Sequence, residues 1–106
     1  RLVRLYGTEA VQVVALGPEP LKADGSVLRG EVAWALRHEA AQNLEDILYR
    51  RTRAALYLPA EAVAIIDPIA DMMAAELGWS ETQKAQEIEH AKVLLDADLT
   101  AVIEAA

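Results

Sequence analysis

The chain has 106 residues, a net charge of −7 and no cysteine. A chain of this length is enough for one domain with one hydrophobic core. The negative charge argues against a nucleic-acid partner, because phosphate binding requires a concentrated positive field. The lack of cysteine in these residues excludes disulfide bonds and thiol chemistry within them. No apolar stretch approaches the length of a membrane span.

The composition favours helices over strands. Ala, Leu, Glu, Gln and Arg lose little conformational freedom in a helix, whereas β-branched runs are short and Phe is absent. We therefore predict an all-α domain of five to six short helices in an orthogonal or irregular bundle. The first helix is predicted to begin at Leu2 and to stop at Gly7, which suits a left-handed helix end. Thr8 is predicted to cap the second helix, which runs to about Ala15.

A linker and a long central element follow. Residues 17–30 contain two prolines and the run Asp24-Gly25-Ser26, which predicts a loop. From Glu31 to about Leu56, apolar residues recur at helical spacing and predict one central element with a single buried stripe. A break near residues 39–42 is compatible with the sequence but is not required by it. The predicted stripe comprises Val32, Leu36, Ala40, Leu44, Ile47 and Leu48.

Proline and capping signals divide the C-terminal half. Pro59 suits the first position of a helix. Asp67-Pro68 repeats this pattern, so a further helix is predicted to begin there with the aspartate as its cap. Gly78 is predicted to stop that helix, and Ser80 with Gln83 forms a capping box for the last one. The predicted buried face of the last helix comprises Ile88, Ala91, Leu95, Leu99, Val102 and Ile103.

Two histidine motifs resemble metal sites but lack necessary ligands. His38-Glu39-Ala40-Ala41-Gln42 has glutamine where a zinc-protease helix needs its second histidine. Glu87-Ile88-Glu89-His90 matches one half-site of a di-iron bundle, which needs a second half-site and two further glutamates. We therefore expect Glu87, Glu89 and His90 to lie on a solvated face. Since no glycine-rich nucleotide motif or nucleophile elbow is present, we assign no catalytic, cofactor-binding or metal-binding residue.

The polar side chains of the central element leave two interpretations open. Glu39, Asn43, Asp46 and Arg50 are spaced by four, three and four, so they are predicted to line one polar stripe. This stripe is either a solvated face or a docking surface for another domain. The arginines of the run 50–53 either complement a helix C-terminus or bind a carboxylate or phosphate across an interface. The first role is favoured, because no glycine-rich anion cradle accompanies them.

The central segment also resembles a known family. A glutamate is followed, after six residues, by a His-Glu pair and then by the pattern D-x-L-x-R-R-T. Both patterns resemble the C-terminal domain of FAD-dependent glycerol-3-phosphate dehydrogenases. The segments 2–10 and 73–79 resemble that domain's entry and its penultimate helix, so the resemblance covers nearly the whole chain. The residues of the two patterns are Glu31, His38, Glu39, Asp46, Leu48, Arg50, Arg51 and Thr52.

The resemblance implies that residues 1–106 are one helical C-terminal cap domain and a fragment of a larger flavoenzyme. The full-length parent would oxidise glycerol 3-phosphate to dihydroxyacetone phosphate with FAD held in an N-terminal domain, and would pass the electrons to membrane quinone. The fragment itself would bind no cofactor and would be structural. The residues expected to form its interface or structural motif are Glu31, His38, Glu39, Asp46, Arg50, Arg51 and Thr52.

The resemblance also implies partners and a location. The expected partner is the N-terminal flavin domain of the same chain, with homodimerisation as a further role. No nucleic-acid partner is expected. The parent would be cytoplasmic, with peripheral attachment to the cytoplasmic membrane as an option. The rival interpretation is an acidic helical module that binds a protein partner and has no enzymatic parent.

Overall fold

The computed structural model describes the backbone of residues 1–105 and the side chains of residues 1–98. Within this range the chain forms helices and no β-sheet, which confirms the predicted all-α fold. A single bridge pairs Pro20 with Leu28. No helix in the described part is long and apolar enough to cross a membrane. The helices are α1 (Leu2–Tyr6), α2 (Ala10–Leu16), α3 (Arg29–His38), α4 (Ala54–Tyr57), α5 (Pro59–Leu77) and α6 (Glu81–Ala105).

Helices α1 and α2 meet at a tight corner. Gly7 adopts φ +58°, which glycine reaches without steric cost, and it ends α1 as predicted. The prediction that Thr8 caps α2 is wrong, because residues Gly7–Glu9 form a turn of 3-10 helix. This turn already satisfies the amide of Ala10 through the carbonyl of Gly7, so the chain enters α2 without a hydroxyl cap.

The loop between α2 and α3 is fastened to α5. The carboxylate of Glu61 accepts hydrogen bonds from the backbone amides of Ser26 (2.8 Å) and Val27 (2.8 Å). The side chain of Val27 is completely buried in the core. The segment predicted to be a loop is therefore a loop, and a carboxylate from a distant helix fixes its path.

The predicted central helix is not continuous. Ala40, directly after α3, adopts φ +55°, which an α-helix cannot accommodate. The amides of Glu39 and Ala41 both donate to the carbonyl of Ala35 (3.1 Å each), so the chain turns back on itself. The turn buries Ala41 and Leu44, whereas Ala40, which a straight stripe would bury, is exposed. The break thus places Ala41 in the core in place of Ala40.

Helix α5 runs unbroken through Pro68. The helix start predicted at Asp67 is therefore wrong, although Pro59 begins the helix and Gly78 (φ +73°) ends it as predicted. Proline inside a helix removes one backbone hydrogen bond and crowds the preceding turn. Burial of the neighbouring side chains outweighs this loss. The completely buried residues on either side of the proline are Ile65, Ile66, Ile69 and Ala70.

Helix α6 packs against α5. Ala91 and Leu95 are buried as predicted, and they join the main core that α3 and α5 form. The amide of Gln83 donates to the hydroxyl of Ser80 (3.1 Å), which confirms the hydroxyl half of the predicted capping box. Ile88 is partly buried against the same core, whereas Leu99, Val102 and Ile103 lie outside the described side chains.

A buried carboxylate fastens α1 to the start of α3. Glu31 is completely buried, and it accepts hydrogen bonds from the Arg1 guanidinium (2.7 Å), the Tyr6 hydroxyl (3.0 Å) and the Leu28 amide (2.8 Å). Burial raises the pKa of Glu31, and this effect exceeds the lowering by Leu28 and Arg1. Burial also raises the pKa of Tyr6, so its hydroxyl stays protonated and keeps donating. One carboxylate therefore joins the N-terminal segment around α1 to the start of α3.

Gly30 allows α2 and α3 to approach closely. A methyl group at Gly30 would lie 2.0 Å from the carbonyl oxygen of Val13, so Gly30→Ala forces the helices apart. We expect this variant to lower the free energy of unfolding by at least about 3 kcal/mol in chemical denaturation. Gly78→Ala is the matched control, because open space surrounds Gly78 and only its left-handed backbone costs about 1–2 kcal/mol. Equal losses in the two variants would contradict the close approach.

The raised pKa of Glu31 makes stability depend on pH. Because the folded protein binds this proton more tightly than the unfolded chain does, ionisation of Glu31 opposes folding. We expect the free energy of unfolding of the unaltered chain, relative to Glu31→Gln, to fall as pH rises above about 4.5 and to level off above the folded pKa. Denaturation curves across this range measure the difference. A difference that grows with pH would show a lowered pKa and contradict the account.

Candidate functional site

A basic cleft opens between α1 and the segment that joins α3 to α5. Its volume is about 660 Å³, and it is partly open to solvent. Five arginines and one glutamate line it, together with apolar and aromatic side chains. We call it the arginine cleft. Its lining residues are Arg1, Arg4, Leu5, Tyr6, Glu39, Arg50, Arg51, Thr52, Arg53, Tyr57 and Leu58.

The arginine cleft concentrates positive charge on an acidic domain. It holds five of the chain's ten lysine and arginine residues but only one of its 17 acidic residues. A cleft lined by one sign of charge focuses the electric field and attracts ions of the opposite sign. Guanidinium groups donate hydrogen bonds, cannot accept them and stay protonated. The cleft arginines are therefore suited to binding carboxylate or phosphate oxygens.

A turn of π-helix presents two of these arginines. Residues Asp46–Arg51 form this turn, and the Thr52 amide closes it on the carbonyl of Ile47 (2.9 Å). The buried hydroxyl of Thr52 donates to the same carbonyl (2.7 Å) and accepts a hydrogen bond from the amide of Ala54 (3.2 Å). Such turns are rare and occur frequently at functional sites. Thr52 thus holds Arg50 and Arg51 at the cleft, while its own hydroxyl is buried and forms hydrogen bonds within the domain.

Arg53 reaches the cleft through an unusual backbone conformation. It adopts φ +57° and ψ +21°, the left-handed region that residues with side chains seldom occupy. This conformation costs about 1–2 kcal/mol and persists only where the surrounding structure imposes it. Here it links the π-turn to α4 and leaves the arginine among the residues that line the cleft.

Glu39 and Arg51 form an incomplete pair on one wall of the cleft. The Arg51 Nη2 donates to the backbone carbonyl of Glu39 (3.1 Å), but the side chains approach only to 3.8 Å between Nη1 and Oε2. Glu39 Oε1 and Arg51 Nε are enclosed and have no hydrogen-bond partner among the described residues. Each such atom costs about 1–3 kcal/mol. One acceptor and one donor at this wall of the cleft are therefore left without a hydrogen bond from the described residues.

The predicted polar stripe is divided by the break after α3. Asp46 stabilises the turn before the π-turn, because its carboxylate accepts from the Gln42 amide (3.0 Å) and its amide donates to Asn43 Oδ1 (2.8 Å). The predicted pair between Asp46 and Arg50 is present but long, at 3.8 Å. The Arg50 side chain is 78% exposed, so this pair contributes little. Glu39 lies before the turn and outside this helical segment, so the prediction of one continuous stripe is wrong.

The structure divides the seven predicted site residues into two groups. Four of them line the arginine cleft, and the other three lie beside it. Glu31 is the buried tie between α1 and α3, and Asp46 holds the preceding turn. His38 is exposed and its ring packs on Trp34, with ring centroids 4.2 Å apart. The four that line the cleft are Glu39, Arg50, Arg51 and Thr52.

Seven of the eleven residues that line the cleft are not among the predicted site residues, and these are Arg1, Arg4, Leu5, Tyr6, Arg53, Tyr57 and Leu58. Arg1 and Arg4 come from α1, and they face Arg53 and Tyr57 only after long-range packing. Arg1 and Arg4 are three residues apart, a spacing that places both on one side of a helix. This spacing is the one sequence signal that points to a basic surface on α1. Nothing in the sequence indicates which other segment that side meets.

A second polar cluster joins α6 to the π-turn. His90 Nε2 pairs with Glu45 Oε1 (2.5 Å), and the Tyr49 hydroxyl donates to Asp98. Burial and the hydrogen bond to Asp98 raise the pKa of Tyr49. The His90 side chain is 64% exposed but pairs across helices, so the face predicted to be solvated is partly used for packing. No group of three or more potential metal ligands is close enough to hold an ion in the described part of the chain.

Three positions where backbone amides could hold an anion are already occupied by side chains of this domain. The amides of Ser26 and Val27 bind the Glu61 carboxylate, and the amide before α3 binds Glu31. Ser80 occupies the start of α6. The pyrophosphate of FAD is typically bound by free backbone amides at a glycine-rich helix start. These amides are therefore not free to bind the pyrophosphate of FAD.

Comparison with known proteins places this geometry in a family. Residues 1–84 match the family described as the C-terminal domain of alpha-glycerophosphate oxidase. The alpha-glycerophosphate oxidase of Streptococcus pyogenes serotype M3 is 34% identical over 104 residues, which cover 95% of this chain and 17% of the relative. The glycerol-3-phosphate dehydrogenase of Mycobacterium leprae is 31% identical over 104 residues, which cover 92% of this chain and 18% of the relative. The mitochondrial glycerol-3-phosphate dehydrogenase of Arabidopsis thaliana is 28% identical over 100 residues, or 90% of this chain and 16% of the relative.

These matches include the whole arginine cleft, since every lining residue lies within residues 1–84. No solved structure matches the chain. The chain spans about a sixth of the length of the relatives above. The resemblance seen in the sequence is thereby confirmed: the chain belongs to the family of C-terminal domains of alpha-glycerophosphate oxidase, with relatives among the glycerol-3-phosphate dehydrogenases.

Proposed function

We propose that this domain is the C-terminal cap of a larger FAD-dependent enzyme that oxidises glycerol 3-phosphate to dihydroxyacetone phosphate. The observation that carries the proposal is the family match over residues 1–84, in relatives about six times as long and named for this substrate. The residues that line the arginine cleft include no glycine-rich flavin-binding motif. The flavin and the reacting substrate atoms are therefore assigned to the rest of the parent chain.

The electron acceptor is assigned to that remainder as well. Relatives named oxidase and relatives named dehydrogenase match this chain at 34% and 31% identity, which is too small a difference to select either. Membrane quinone is the acceptor we propose, with oxygen as the alternative. Quinone as acceptor fits a cytoplasmic enzyme attached peripherally to the membrane.

The domain's own contribution is structural. Glu39, Asp46 and Arg51 hold the turn that follows α3. Arg50 and the other cleft arginines face the flavin domain of the same chain. The half-exposed, incompletely paired Arg51 supports this role, because a finished surface would leave no enclosed donor unpaired. An acidic binding module with no enzymatic parent is the alternative, and the family match argues against it.

The enzymatic proposal is tested on the full-length parent. We expect the purified protein to contain flavin, glycerol 3-phosphate to bleach the flavin absorbance without oxygen, and dihydroxyacetone phosphate to form. Glycerol is the control, since it lacks the phosphate. A flavin-free parent, or a flavin that glycerol 3-phosphate does not reduce, would exclude this function. Comparing oxygen uptake with reduction of a soluble quinone then identifies the acceptor.

Arg51 tests the structural role. We expect Arg51→Ala in the full-length parent to lower the free energy of unfolding by about 1–3 kcal/mol, because a charged donor to the Glu39 carbonyl is lost. We expect flavin content and turnover to fall together with stability, since the turn after α3 positions the residues that meet the flavin domain. Arg37→Ala is the matched control, and its exposed pair with Glu76 (3.3 Å) predicts a change within about 0.5 kcal/mol. If stability, flavin content and turnover were all unchanged in Arg51→Ala, the structural role would be wrong.

A further inference from the structure

We propose that the arginine cleft receives an acidic segment of the parent polypeptide outside residues 1–106. The inference rests on the proposed function, because it assigns a surface of this domain to the remainder of the same enzyme. It goes beyond that function by naming the contact site and the chemistry of its occupant. Four observations support it. They are the positive charge of the cleft, its arginines that lack an ion pair, its volume, and the enclosed polar atoms on its wall that have no hydrogen-bond partner.

The arginines of the cleft are only partly neutralised by the domain. Arg1 is paired with buried Glu31, and Arg51 is loosely paired with Glu39. Arg4 and Arg53 have no ion pair within 4.0 Å among the described residues, and Arg50 is largely exposed. At least two guanidinium groups are therefore available to carboxylates from another segment.

The surrounding charge makes this surface selective. Of the chain's 17 acidic and ten basic residues, 16 acidic and five basic ones lie outside the lining of the cleft. An acidic segment is attracted by the cleft and repelled by the rest of the domain. The basic cleft attracts the acidic segment and the acidic surface around the cleft repels it, so the two effects together direct the segment to the cleft.

The size and chemistry of the cleft favour a polypeptide over a free phosphate. About 660 Å³ is far more than one phosphate group fills, and apolar and aromatic side chains line part of it. The enclosed Glu39 Oε1 needs a donor and the enclosed Arg51 Nε needs an acceptor. A peptide segment offers both, because it carries backbone N–H groups as well as carboxylates. Tyr57, 69% exposed at the rim, adds an aromatic surface typical of protein contacts.

Zero-length cross-linking of the full-length holoenzyme tests the proposal. Carbodiimide couples lysine to carboxylate but does not couple arginine, so Arg50→Lys and Arg53→Lys make the cleft reactive while keeping its charge. We expect mass spectrometry to find residue 50 or 53 joined to an Asp- or Glu-containing peptide from outside residues 1–106. Raising the salt from about 0.1 to about 1 M shortens the screening length from about 10 to about 3 Å, so the yield is expected to fall several-fold.

The native Lys22, exposed on the α2–α3 loop, is the matched control and is expected not to join the same peptide. Coupling of Lys22 to that peptide with equal yield would overturn the proposal. Coupling confined to this domain's own carboxylates, coupling to a second copy in a mixture of isotope-labelled and unlabelled protein, or no coupling at all would also overturn it.

The two proposals fail separately. A parent whose flavin is reduced by glycerol 3-phosphate, but whose cleft gives no cross-link, contradicts the docking alone. A cross-linked parent that does not respond to glycerol 3-phosphate contradicts the enzymatic function and leaves the docking supported.

Discussion

The turn that interrupts the chain after α3 is the constraint on which the site depends. Ala40 leaves the helical region, and the guanidinium of Arg51 reaches back to the carbonyl of Glu39 across this turn. If the helix continued straight, successive residues would be rotated by about 100° and the arginines at 50, 51 and 53 would spread around its surface. The π-turn and the left-handed Arg53 bring them to one cleft instead. Buried Ala41 and Leu44 stabilise the bend that makes this possible.

The opposite wall of the cleft depends on a buried acid. Glu31 lies at the start of α3 and holds Arg1 and Tyr6 of the N-terminal segment. Removing one partner of such a buried group leaves an uncompensated charge, so α1 is strongly tied to this place. The same carboxylate also satisfies the amide of Leu28 at the entry to α3. A stability feature of the fold therefore positions the α1 wall of the arginine cleft.

The sequence allowed local features to be predicted better than long-range ones. Gly7, Pro59, Gly78 and Ser80 act as predicted, because turn and cap preferences depend on the residue itself. The helix start predicted at Asp67-Pro68 is wrong, because burial of the apolar residues on either side of Pro68 stabilises one continuous helix. Such burial depends on how the helices pack, and a local pattern does not contain that information.

The cleft could be predicted only in part for the same reason. The paired arginines at 50 and 51 and the family pattern were visible in the sequence. Their meeting with Arg1 and Arg4 depends on a contact between segments almost fifty residues apart. The π-turn was hidden as well, because its residues have the spacing of an ordinary helix. Sequence thus identified the motif, and the fold showed which surface the motif builds.

We propose that this acidic helical domain meets the rest of a glycerol-3-phosphate oxidising enzyme through its arginine cleft. A solved structure of the full-length parent with flavin bound tests this most directly. The account predicts Asp or Glu carboxylates from outside residues 1–106 within about 4 Å of the guanidinium groups of Arg50 and Arg53. A cleft that is open to solvent in that structure, or one that is filled by a second copy of the enzyme, would contradict it.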